Sequence, residues 1–239
     1  REFLLKFDKD KRRWLHWLFE AKKRFELMIL NFTVTSNHIH LLVYDGKMNV
    51  IPKSIQVIAG RKGREYNQRK KRKGAFWEDR YHATAVKTGN HLIRCLAYID
   101  LNMVRAGVVR HPDEWIYGGY HEIQNPKQRY SLVNRQKLTE LLGIKDNDQL
   151  SEYHRNWVEE VLKNGSNQRE SKWTESIAVG DKEFIVETKA KLGAKAIGRR
   201  ELESDEGYEL REPQNPYTPL FTPENSALSL KNDYIWQVS

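Results

Sequence analysis

Residues 27–34 and 38–44 are two β-rich apolar runs separated only by Thr35-Ser36-Asn37. A link that short ties two strands into an antiparallel hairpin. Residues two apart on a strand face the same way, so His38 and His40 project side by side. Burying two imidazoles without partners is expensive. A lone His-x-His on a strand is more often structural than functional, so what faces the pair decides how to read it.

Residues 10–25 read as an amphipathic helix, with Trp14, Leu18, Ala21 and Phe25 on the helical repeat. After the hairpin come a helix at about 54–67, a basic stretch, a strand near 82–87 and a strong helix at 91–104. Thr88 or Asn90 opens that last helix and Gly107 closes it. This order predicts an α+β fold, with helices packed on one face of an antiparallel sheet. Past Tyr120, Gln124-Asn125-Pro126 reads as a linker into helices at about 134–142 and 149–162. A polar break at 165–170 precedes a short helix at 181–192 that ends at Gly193. The stretch holding Pro213, Pro216, Pro219 and Pro223 is expected to be extended and only partly ordered. The implied division is a domain at 1–123, a helical extension at 124–165 and an accessory region at 166–239 with an acidic, proline-rich tail.

On a helical wheel of residues 91–104, Leu92, Cys95, Leu96, Ile99 and Met103 form the core face. His91, Arg94, Tyr98, Asn102 and Arg105 gather on another face. Tyr98 and Asn102 are one turn apart. Neighbouring positive charge favours a phenolate, which makes Tyr98 a candidate nucleophile. Without its surroundings, Tyr98 would pass for an ordinary half-buried tyrosine.

The His38-Ile39-His40 pair and "YIDLNMVRAGVV" (98–109) resemble the single-tyrosine transposases of the HUH endonuclease superfamily, and within it the REP-associated, IS200-like group. "GAFWEDRYHATAV" (74–86) and "DEWIYGGY" (113–120) match in order and spacing, and the resemblance covers roughly 1–160. It implies a ferredoxin-like antiparallel sheet with a helical and partly extended C-terminal extension. It places the nucleophile on Tyr98 and the metal ligands, for magnesium or manganese, on His38, His40 and Asn102. The implied activity is cleavage and rejoining of hairpin-containing, REP-like single-stranded DNA through a 5′-phosphotyrosine, without a nucleotide cofactor. A homo-oligomer is compatible with it. Two departures stand out: Met103 replaces the usual proline after the asparagine, and the family's strand ahead of the first helix is expected to be missing, since Arg1 begins too late to supply it.

Between 61 and 73, Arg61, Lys62, Arg64, Arg69, Lys70, Lys71, Arg72 and Lys73 face a single acid, Glu65. Phe76, Trp77, Arg80 and Tyr81 follow at once. Cations for phosphates and aromatics for bases suit a single strand, and Arg94 and Arg105 add positive charge beside Tyr98. The plain alternative is a solvated basic loop. Trp77 or Tyr81 can equally be core, and Trp115 and Tyr120 are expected to pack under the active-site helix. His82, His91, His111, His121 and His154 have no spacing that demands a ligand role.

The net charge of +9 divides into −6 over 201–239 and +15 over the rest. A basic body suits a polyanionic partner, and the acidic tail is suited to dock on it. Leu220, Phe221, Tyr234, Ile235 and Trp236 would be its apolar anchors. One cysteine, Cys95, excludes an internal disulfide and a thiolate zinc cluster, and fits a cytoplasmic setting. No apolar run is long enough for a membrane span. Two rival functions stay open: a domesticated, non-catalytic hairpin-DNA binder, and a metallohydrolase that uses water instead of Tyr98.

Overall fold

The computed structural model describes residues 3–77, 81–165, 168–204 and 206–212, and the backbone of 234–238. Arg80, Leu220, Phe221 and the tail prolines, for which the sequence carries expectations, lie outside these residues.

Helix α1 (Asp8–Phe25) buries Trp14, Leu18 and Ala21, the stripe that its periodicity marks. Strands β1 (Met28–Val34) and β2 (Ile39–Asp45) form the expected antiparallel hairpin, with Thr33 opposite His40. Helix α2 (Val50–Lys70) runs further than its apolar pattern suggests and takes in much of the basic stretch. Strand β3 (Ala83–Val86) leads into α3 (Asn90–Asp100). All five residues expected on the core face of 91–104 are buried.

Downstream lie α4 (Asn102–Arg105), α5 (Tyr120–Gln124), α6 (Arg135–Leu142) and α7 (Asn147–Lys163). They are followed by α8 (Lys172–Glu175), β4 (Ser176–Gly180), α9 (Lys182–Leu192), β5 (Arg200–Ser204), β6 (Gly207–Arg211) and β7 (Tyr234–Val238).

The strands form one sheet in the order β1-β2-β7-β3-β4-β6-β5. Neighbours are antiparallel except β3 and β4, which are parallel. The fold is α+β. Its sheet extends well past the hairpin, because β4, β5 and β6 continue it on the far side of β3. Between β2 and β3, where the two halves meet, lies β7, antiparallel to both. For residues 234–238, docking of the C-terminal end on the body therefore takes the form of strand pairing. Strands β1 and β2 are buried at nearly every position, so both faces of the pair are covered.

A buried polar chain fixes α3 to this frame. Asn31 on β1 donates through Nδ2 to Asp100 Oδ1 at 3.0 Å and to the Leu96 carbonyl at 3.3 Å. The other Asp100 oxygen lies 2.7 Å from His154 Nε2 on α7. Gln124 Nε2 reaches His154 Nδ1 at 2.8 Å, while Gln124 Oε1 accepts from Arg155. Since the Gln124 amide donates to Nδ1, the proton of His154 sits on Nε2 and points at Asp100. Gly119 of the "YGGY" segment closes over Asn31. A Cβ there would stand 2.2 Å from Asn31 Oδ1, so only glycine fits.

Candidate functional site

His38 stands just ahead of β2 and His40 within it, and their ring centroids are 5.0 Å apart. His38 Nδ1 lies 2.8 Å from Asn37 Oδ1 and 3.0 Å from Thr35 Oγ1. With Nδ1 donating to Asn37, the lone pair of Nε2 is turned to the far side of the ring, the usual state of a metal-binding imidazole. His40 is only 3% exposed. Burial, then the charges of His38, Arg105 and Arg169, push its pKa down to about 3, so it is neutral near pH 7.

Tyr98 meets the pair from α3, its ring edge-on to His40 at 5.9 Å between centroids. The sequence alone put Tyr98 on a polar face with its phenolate favoured by cations. The phenol is 5% exposed, and burial pushes its pKa up while Arg105 and Arg169 pull the other way. The cations moderate a raised value; they do not produce a lowered one.

Arg105 was expected on the DNA. Its side chain turns inward instead, 3.9 Å above the Tyr98 ring and hydrogen-bonded to the Tyr98 carbonyl. Asn102 is half-buried at the start of α4. The helix is interrupted at Leu101, so Tyr98 and Asn102 do not lie on one unbroken helix as the wheel assumed.

Residues 1–102 match a family model described as Transposase IS200 like. This segment is similar to that family. No curated protein and no solved structure matches the chain. The matched segment contains His38, His40, Tyr98 and Asn102, and it ends short of Arg105.

The basic stretch of this IS200-like segment is mostly on the surface. Arg61, Arg64, Arg69, Lys70, Lys71, Arg72 and Lys73 are exposed along the end of α2 and the turn beyond it. Lys62 is a correction. Ser54, Ile58 and Lys62 share the buried side of α2, and Lys62, 1% exposed, binds Asp10 of α1 at 3.0 Å. It pins two helices together and faces no ligand. Arg69 also reaches Asp10, at 2.6 Å, from an exposed position.

Phe76 is corrected likewise: it is buried between Tyr66 and Trp77, at 4.9 and 4.8 Å between ring centroids. Trp77 is half-buried and Tyr81 exposed. Arg94 is exposed and paired with Glu206 at 3.1 Å. Tyr120 packs with Ala97 and Leu101 under α3 as expected, but Trp115 lies against Tyr117 and Lys11.

Sequence reasoning missed two contributors from beyond the family segment. Trp173 of α8 is fully buried, 6.1 Å from Tyr98 between ring centroids, and His154 holds Asp100 two residues after the tyrosine. Trp173 follows a stretch read only as a polar break, and His154 has no motif around it. Among the described residues, no three His, Cys, Asp or Glu side chains cluster as a metal site, and no helix is long and apolar enough to cross a membrane.

Proposed function

We propose that the chain is a tyrosine nucleophile enzyme that cleaves and rejoins hairpin-containing single-stranded DNA. The observation that carries this is the meeting of the His38–His40 pair with Tyr98, each from a different element. The Tyr98 hydroxyl gives up its proton and attacks phosphorus. The bond from phosphorus to the 3′ oxygen breaks, that oxygen takes up a proton, and the 5′ side stays linked to tyrosine. Rejoining is the same displacement in reverse, so it needs no ATP.

His38 and His40, with the Asn102 carbonyl as third ligand, would hold a divalent ion, magnesium or manganese being the ion that the family resemblance implies. Such an ion, when bound, supplies polarisation of the scissile phosphate. Arg105 offsets negative charge on the phenol as its proton leaves. The exposed cations of α2 and the turn after it grip the phosphates of the strand.

The test is incubation of an end-labelled hairpin single strand with the protein and manganese, followed by a denaturing gel. A covalent adduct is expected with the wild type and none with Tyr98→Phe, while hairpin affinity stays nearly constant. Cleavage by Tyr98→Phe would move the assignment to a water nucleophile. The depth at which Tyr98 is buried favours a second reading, a hairpin-DNA binder without catalysis, which predicts binding and no adduct in either protein.

A further inference from the structure

Three groups enclose the phenol ring of Tyr98. Arg105 covers one face, His40 stands at the edge, and Trp173 lies alongside, tilted by 39°. His40 comes from the family segment and Arg105 from the residues just after it. Trp173 comes from far beyond.

Its helix, α8, is four residues long and has no stability of its own. Side chains hold it in place. Lys172 pairs with both Glu170 and Glu206, and Arg211 Nη2 donates to Ser171 Oγ at 2.7 Å. Glu206 and Arg211 lie in the turn and second strand of the β5–β6 hairpin, so that hairpin sets the position of one indole. Trp173 Nε1 is buried and has no hydrogen-bond partner among the described residues. An unpaired buried donor disfavours the fold. What the indole offers at this place is a broad flat wall, not a hydrogen bond.

We propose that Trp173 is a positioning residue for Tyr98, walling the phenol so that its oxygen is aimed at the phosphate beside the histidine pair. The region beyond residue 102 is then part of the active site and not an appendage to it. The proposal rests on Tyr98 being the nucleophile. A loosened wall costs rate and leaves binding alone, because misplacing a reacting group by about 1 Å can cost about 100-fold while the DNA grip lies elsewhere.

The experiment uses the full chain, a hairpin single strand and manganese. It reads the single-turnover rate of adduct formation, hairpin affinity and melting temperature. Trp173→Leu is expected to slow adduct formation about 10- to 100-fold with affinity within about twofold. Trp173→Phe, which keeps a ring and removes the unpaired donor, should recover most of that loss and remain about threefold slow. Leu18→Ala opens a cavity in the core under α1, and should lower the melting temperature without slowing adduct formation.

Wild-type rates in Trp173→Leu overturn the proposal. So does a rate loss that follows melting temperature equally in Leu18→Ala. Should Trp173→Leu not fold, Trp173→Phe decides, and a rate equal to the wild type overturns the proposal. Tyr98→Phe, run in parallel, separates the two claims. Adduct persisting there removes the nucleophile assignment itself, whereas its absence alongside full rate in Trp173→Leu removes only the wall.

Discussion

Between the ordinary imidazole value near 6.5 and about 3, the unfolded chain accepts a proton at His40 that the folded chain refuses. Stability of the metal-free protein therefore falls as pH falls through that window, by about 3 kcal/mol at pH 4 from this residue. Chemical denaturation of wild type and His40→Gln at pH 7 and pH 4 checks this. The variant should lose markedly less on acidification, and equal losses would show that His40 is not held neutral. The same neutrality suits a ligand. His38→Ala and His40→Ala should each abolish metal-dependent cleavage, as should a chelator added to the wild type, with a cleavage gel as the readout. Activity persisting in chelator removes the metal from the account. At this scale strand periodicity put His38 and His40 on one face and the helical wheel put Tyr98 on a polar one, while their roles came only from the family resemblance. It misread Arg105, since nothing in a wheel says whether an arginine turns outward or folds back over its own helix.

Within α2, charge and periodicity pull in different directions. Lys70, Lys71, Arg72 and Lys73 end the helix and its turn on the surface, whereas Lys62 falls on the buried repeat. Replacing the four exposed cations by glutamine should weaken hairpin binding and flatten its salt dependence by up to about three units of slope. An unchanged slope in a filter-binding titration would make the run a bystander. Lys62→Met should do the reverse. It should cost on the order of 3 kcal/mol of stability by leaving Asp10 short of a buried partner, with affinity of the folded fraction kept. Most helices and the first three strands were legible from apolar spacing. Strands β4 and β5 were not: Ser176–Gly180 is too short an apolar run to separate from a loop, and Arg200–Ser204 is exposed throughout. The break at Leu101 left no mark either, because Tyr98 to Arg105 reads as one amphipathic helix.

Across the whole molecule, β7 is the piece that joins the two halves of the sheet. Val43 pairs with Trp236 and Ala85 with the same residue from the other side. Removing residues 234–238 would leave β2 and β3 with facing edges and no strand between them. The shortened chain should melt at lower temperature and lose slow amide exchange along β2, which exchange measured by mass spectrometry would detect. Protection of Leu41 to Asp45 equal to that of the intact chain would contradict the pairing. Periodicity cannot show such a contact, because it pairs residues near opposite ends of the sequence. The pairing also has a consequence in time. A ribosome adds residues at about 5–20 per second, so the strand bearing His40 is complete on the order of ten seconds or more before β7 exists. In that interval the nascent chain has the His38–His40 pair and Tyr98 without the completed sheet that frames them. Synthesis itself then acts as a delay, and a chain stalled or cut short before Tyr234 is one whose sheet has not been closed between β2 and β3.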